Sequence, residues 1–176
     1  MSVITDQIDN QNFLSPVGFK FQIKKTPKTN YFVQAVNIPS VVVGEAVQPT
    51  PFITIPVPGD HLTYGNLSVQ FKIDEDMVNY LELYNWIRGI GFPESFQERK
   101  DAVAENLSQR GISGELYSDA VLMILTSNLN SNVEINFKDM YPVSLSDIQF
   151  DVQQADIDYV TATVDFRFRQ FDITKL

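Results

Sequence analysis

Five stretches of this chain alternate apolar and polar residues with a period of two. Nothing else in the sequence constrains the fold as tightly. In "FKFQIKK", Phe19, Phe21 and Ile23 alternate with Lys20, Gln22 and Lys24. "LSVQFKI" sets Leu67, Val69, Phe71 and Ile73 against Ser68, Gln70 and Lys72. "NVEINF" gives Val133, Ile135 and Phe137, and "IQFDV" gives Ile148, Phe150 and Val152. The longest run, "VTATVDFRFRQF", sets Val160, Ala162, Val164, Phe166 and Phe168 against Thr161, Thr163, Asp165, Arg167 and Arg169. A strand turns successive side chains to opposite faces, so each run predicts a strand with one dry face and one wet one.

Two further segments read as strands. "NYFVQAVNI" lies between Lys28 and Pro39, and "AVLMILTS" is apolar on both faces, as a strand covered on each side would be. Seven or eight strands at this spacing predict a mainly β protein, an antiparallel sandwich or barrel forming one domain over residues 1–176. A hydrophobic content of 44% with 12% aromatics is enough for a packed core.

Three segments stand outside this pattern. Residues 1–15 read as a polar arm, whose first twelve residues are expected to order only on assembly. They have neither the basic start nor the apolar stretch of a secretory signal. Residues 39–65 hold Pro39, Pro49, Pro51, Pro56 and Pro58, too many for a central strand. They predict a long extended loop or irregular hairpin whose exposed Val and Ile side chains need cover from a neighbouring subunit. Residues 93–118 read as a polar insertion in which "FQERKDAVAENL" predicts a short helix ended by the glycines of "RGISG".

A single long helix is predicted over about 74–88, in "DEDMVNYLELYNWIRG". Val78, Leu81, Tyr84 and Ile87 recur at offsets of three, with Tyr80, Leu83 and Trp86 widening the stripe. Asp74 or Asp76 fits the N-cap, and the neighbouring acids favour the positive end of the helix dipole. Arg88 and Gly89 supply the stop. The acid triplet of residues 74–76 therefore reads as helix capping rather than a metal or catalytic cluster. Trp86 is expected to anchor the helix to the sheet.

Chemistry is sparse. There is no cysteine, so no disulfide, thiolate site or cysteine nucleophile. His61, the one histidine, rules out the usual Ser-His-Asp and multi-histidine zinc arrangements and reads as a loop residue. No phosphate-binding loop occurs, and "RGIGFPES" lacks the third glycine and the preceding strand of a dinucleotide fingerprint. "DIQFDVQQADID" lacks the glycine and terminal glutamate of a calcium loop. Composition alone leaves a two-carboxylate hydrolase open, because 22 acids offer many pairs. No run reaches 18 apolar residues, so no stable membrane insertion is expected. The net charge of -9 and the lack of a dense basic run argue against tight nucleic-acid binding.

These features recur together in one family. The order is "NFLSPVGFKFQI", then "VNIPSVVVGEAV", the block from Pro56 to Gly89, "DMYPVSLSDIQFD" and the closing "YVTATVDFRFRQFDI". This resembles the tail tube protein of contractile-tailed, T4-like bacteriophages and, more distantly, the inner-tube proteins of contractile injection systems. The resemblance covers about residues 12–172, is weakest over 93–118, and implies that "YPVSLSDIQFD" is a late aromatic-Pro turn before the penultimate strand. It implies a small β-sandwich or barrel with one flanking helix. Hexameric rings would close a continuous β-barrel around a channel and stack inside a sheath, and the genome would pass down the lumen. It also implies a structural virion protein assembled in the host cytoplasm, with no enzymatic activity and no cofactor. Its partners would be further copies of itself, the sheath, the baseplate or hub, and the tube terminator, and DNA would pass without specific binding. Candidate lumen-facing residues form the polar faces of two strand pairs: Lys20, Gln22 and Lys24 with Ser68, Gln70 and Lys72, and Asn136 with Thr161, Thr163 and Asp165. Candidate ring-to-ring contacts are Val41, Val43, Val47, Phe52, Ile53 and Ile55. A tube-fold end protein, acting as baseplate initiator, hub adaptor or terminator ring, is the main alternative. A β-sandwich binding module or hydrolase is a remote one, since the aromatics fall mostly on apolar strand faces.

Overall fold

The architecture comes from a computed structural model, described over residues 12–91, 96–97, 100, 116–150 and 159–176. Its elements run β1 (Phe19–Ile23), α1 (Pro27–Tyr31), β2 (Val33–Val36), β3 (Val41–Pro49), β4 (Thr54–Tyr64), β5 (Leu67–Lys72) and α2 (Val78–Gly91). After these come β6 (Ser118–Leu125), β7 (Ser131–Leu145), β8 (Thr161–Arg167) and β9 (Gln170–Lys175). All strand pairs are antiparallel. The main path is β1-β6-β7-β8-β5-β2, with β9 joined to β7, while among the described residues β3 and β4 pair only with each other.

β7 is the hinge of this arrangement. Val133–Lys138 pairs with β6 and β9, and Tyr141–Leu145 pairs with β8. Between these halves Asp139 takes a φ of 53°, and the chain passes from one sheet to the other. The two sheets share one core. Phe21, Ile23, Leu122, Ile135 and Phe137 enter it from the first sheet, and Leu67, Val69, Phe71, Val164 and Phe166 from the second. Fully burying one such side chain contributes about 1.5–3 kcal/mol, which is why period-2 alternation fixes the register of these strands.

The α2 helix closes one side of the core. Asn79, Leu83, Trp86 and Gly89 form its buried face. Leu81 and Tyr84 of the predicted stripe are close to half exposed, so that stripe is rotated from the real one. Trp86 packs against Phe166 with ring centroids 5.9 Å apart, and its Nε1–H donates to the Leu116 carbonyl at 2.8 Å. The Lys25 ammonium lies 4.8 Å from its ring centroid.

Several expectations need correction. The helix starts at Val78, not 74, because a turn closed by Met77 N–H to Asp74 C=O (3.0 Å) first swings the chain off β5. "NYFVQAVNI" is not one strand: Asn30 and Tyr31 end α1, which Pro27 opens with its pre-set φ. Residues 146–150 have no regular structure, so "IQFDV" forms no strand over its described part. "DMYPVSL" is not a turn but the second half of β7, with Pro142 at a register shift. The closing run breaks after Arg167, and β9 returns along β7. Most of the 93–118 insertion and of its predicted helix lies outside the described residues, as does the arm before residue 12.

Candidate functional site

Residues 41–64 form a long two-stranded hairpin, the more ordered of the two forms predicted for the Pro-rich segment. Thr50 N–H donates to the Ile53 carbonyl at 3.1 Å and closes the tip. That bond sets the parity of the ladder: Gln48–Ile55 and Ala46–Val57 become hydrogen-bonded pairs. Pro49, Pro56 and Pro58 fall at the positions between, where a strand's N–H points away from its partner. No ladder bond is lost, which is how a strand carries this many prolines.

At the bulge, Gly59 lies against Gly44. A Cβ on Gly59 would sit 2.7 Å from the Gly44 carbonyl oxygen, so only glycine permits the crossing. At the base, Tyr64 stacks on Phe168 and Phe171 at centroid distances of 5.6 and 5.4 Å and ties the hairpin to the body.

All six candidate ring-to-ring residues lie on this hairpin, and all are exposed. Val41, Val43 and Val47 are on β3 and Ile55 is on β4, while Phe52 (98% exposed) and Ile53 form the tip. Val42, Val57 and Leu62 add to the same apolar surface. His61 sits on exposed β4, not in a turn.

The candidate lumen residues divide between two faces. β1 pairs with β6, not β5, and Asn136 faces Val121 and Asp172 rather than β8. The predicted pairings of Lys20, Gln22 and Lys24 with β5, and of Asn136 with β8, therefore do not occur. On the first sheet Lys24 binds Asp119 and Lys138 binds Asp172, both at 2.6 Å, around half-buried Val121 and Met123. On the second sheet Ser68–Asp165, Gln70–Thr163 and Lys72–Thr161 are direct cross-strand neighbours. The Ser68 hydroxyl donates to the Asp165 carboxylate, and the Ser144 hydroxyl donates to its other oxygen at 2.9 Å. This face carries hydroxyls and amides with few charges.

Asp74 accepts the Asn79 N–H at 3.3 Å, so it reaches the first turn of α2 from outside the N-cap position. Asp76 stands in the exposed turn before the helix. Asn79, which sequence reading missed, is fully buried. Its amide donates to the Lys72 carbonyl at 2.8 Å, and its oxygen accepts the Tyr80 N–H at 2.7 Å. The signal was available, since Asn79 stands at helical spacing from Leu83 and Trp86. The Glu82 carboxylate of α2 is held near the backbone of Lys28 and Thr29 in α1, while Thr26 makes no cap bond. Desolvation raises the Glu82 pKa against the opposing pull of Lys28. Among the described residues no group of three or more His, Cys, Asp or Glu side chains is placed to hold a metal.

No protein-family model matches the sequence, and no curated protein matches it. Solved structures do match the fold. The tube-terminating cap of the anti-feeding prophage aligns with a TM-score of 0.67 at 12% identity, covering 100% of both chains. The sheath/tube terminator of PVC, an extracellular contractile injection system, aligns at 0.62 and 13% identity, over 94% of this chain and 99% of the other. A chain of the PVC sheath–tube complex aligns at 0.60 and 13%, over 99% and 100%. The fold is that of the tube proteins of contractile injection systems. At these identities the likeness extends to main-tube and tube-ending components alike.

Proposed function

We propose that this chain is the structural subunit of a phage tail tube. Copies close a hexameric ring, rings stack inside a contractile sheath, and the genome crosses into the host through the lumen. The observation that carries this reading is the hairpin: on a body with the tube fold, it holds a row of apolar side chains that the single chain leaves in water. Exposed apolar surface of this extent marks an interaction site, and Val41, Val43, Val47, Phe52, Ile53 and Ile55 are its ring-to-ring contacts. The β5–β8 face, with Ser68, Gln70, Lys72, Thr161, Thr163 and Asp165, lines the channel. Its near-neutral hydroxyls and amides, together with the net charge of -9, let a polyanion slide without gripping. The chain runs no reaction and needs no cofactor. Its partners are sheath, baseplate or hub, and terminator proteins, in a virion assembled in the host cytoplasm.

A second reading, a ring that ends the tube, is favoured by the likeness to a cap and a terminator over nearly their whole lengths. Negative-stain electron microscopy across a concentration series separates the two. Long hollow tubes are expected of a self-stacking subunit. Isolated rings that never stack would favour the end-of-tube role.

A further inference from the structure

The two ends of the sheet path, β1 and β2, border one groove, and the hairpin carries a strand edge that matches it. We infer that β3 of one copy adds as a strand to the open edge of β1 in a second copy, seating the hairpin in the groove between β1 and β2. This inference rests on the self-association proposed above and names the surface that receives the hairpin.

The open edge follows from hydrogen-bond parity. Leu125 N–H donates to Gly18 C=O at 2.8 Å and Lys24 N–H to Asp119 C=O at 3.1 Å, so the even-numbered residues of β1 bond to β6. Phe19, Phe21 and Ile23 therefore turn their N–H and C=O groups the other way. At Ile23 both groups are taken by a side-chain amide: Asn30 Oδ1 accepts the N–H at 2.7 Å, and Nδ2 donates to the C=O at 3.0 Å. Among the described residues nothing does the same for Phe19 and Phe21. Their groups face a groove of about 500 Å³ lined by Val17, Lys20, Tyr31, Val33 and Gln34 among others. At strand spacings of about 3.3 by 4.8 by 10 Å, this is room for roughly three residues of an added strand. Val17 and Tyr31, 85% and 86% exposed, stand at its rim as apolar cover.

The hairpin has one edge able to enter. On β4 the outward positions include Pro56 and Pro58, which have no N–H to give. On β3 they are Val41, Val43, Glu45 and Val47, each with an outward donor and acceptor, and Pro49, which lacks the donor, beside the tip; the parity is fixed by Gly65 N–H to Ser40 C=O (2.9 Å) and by the tip bond. Charge agrees with this choice. From residue 41 to 64 the only acidic residues are Glu45 and Asp60, and there is no Lys or Arg. The groove lining includes Lys20 and no acid.

Two proline substitutions test the edge without breaking the hairpin's own ladder, since both positions point outward. Val47→Pro removes a donor from β3 and should raise the concentration needed for assembly about tenfold, the scale of one lost hydrogen bond. Thr54→Pro removes one from β4 and should leave assembly unchanged. Residue-resolved hydrogen exchange on the wild type gives an independent readout, in which the Phe19 and Phe21 amides should exchange freely in the monomer and become protected in the assembly. Assembly with unprotected Phe19 and Phe21, or equal effects of the two prolines, would overturn this inference and leave the tube reading standing. A wild type that stays monomeric across the whole series would bring down both.

Discussion

Valine and isoleucine build both the body and the hairpin, with opposite outcomes. In the body, Val69 and Val164 are fully enclosed, because Ser68, Gln70, Thr163 and Asp165 between them keep the other face wet. In β3, Val41, Val42 and Val43 follow one another, so both faces of the strand are apolar and each residue is left about half exposed. A strand apolar on both faces needs cover on both sides. The body finds its cover in its own second sheet and in α2. Among the described residues the hairpin pairs with no other element, and the cover we propose for it is another copy of the chain.

This contrast can be broken most forcefully from the body side. Trp86→Ala should lower unfolding stability by about 3–5 kcal/mol, since it empties a packed site and strands the Leu116 carbonyl. An unchanged thermal midpoint would refute the packing of α2. Asn79→Ala leaves the Lys72 carbonyl and the Tyr80 N–H without their side-chain partner and should cost about 1–3 kcal/mol by denaturant titration. A neutral result would mean that solvent reaches that site. The paired change Val43→Ser with Phe52→Ser should behave in the opposite way. The monomer's stability should stay within about 0.5 kcal/mol while assembly seen by light scattering falls sharply. If the pair destabilised the monomer strongly, the hairpin would be part of the body after all.

The smallest effect is expected at Glu82. Burial raises its folded-state pKa above 4.5, so the folded state disfavours the charged form. Its contribution is therefore most favourable below the unfolded pKa and declines as pH rises through the raised folded value. Glu82→Gln should remove that decline, so the gap between variant and wild type should narrow on going from neutral pH to about pH 4. A gap that widened on acidification would contradict the desolvation at this site.

Where one face was buried and the other wet, the strands were legible, and β1, β5 and β8 carry the expected residues inward. Legibility failed where backbone needs outweighed side-chain pattern. The alternation of "VTATVDFRFRQF" runs on through Phe168, past the break after Arg167, and Phe168 and Phe171 beyond that break still join one aromatic cluster with Phe137. Pro142 suggested a turn, yet a bulge accommodates it inside β7. The prolines of residues 39–65 left a loop and an irregular hairpin both open, since their tolerance depends on ladder parity, which composition does not reveal. The hairpin residues expected to need cover are exposed. The polar strand faces were recognised too, but which of them adjoin depends on strand order, and no local pattern encodes that.

The proline positions also bear on valency. A ribbon with two competent margins can recruit on both sides and grow without limit, which is the route to fibrils. With Pro56 and Pro58 interrupting the β4 margin and Pro49 interrupting the β3 margin only beside the tip, the contact inferred above joins this ribbon along β3 alone. Each copy then offers one plug, and growth by this contact is counted subunit by subunit.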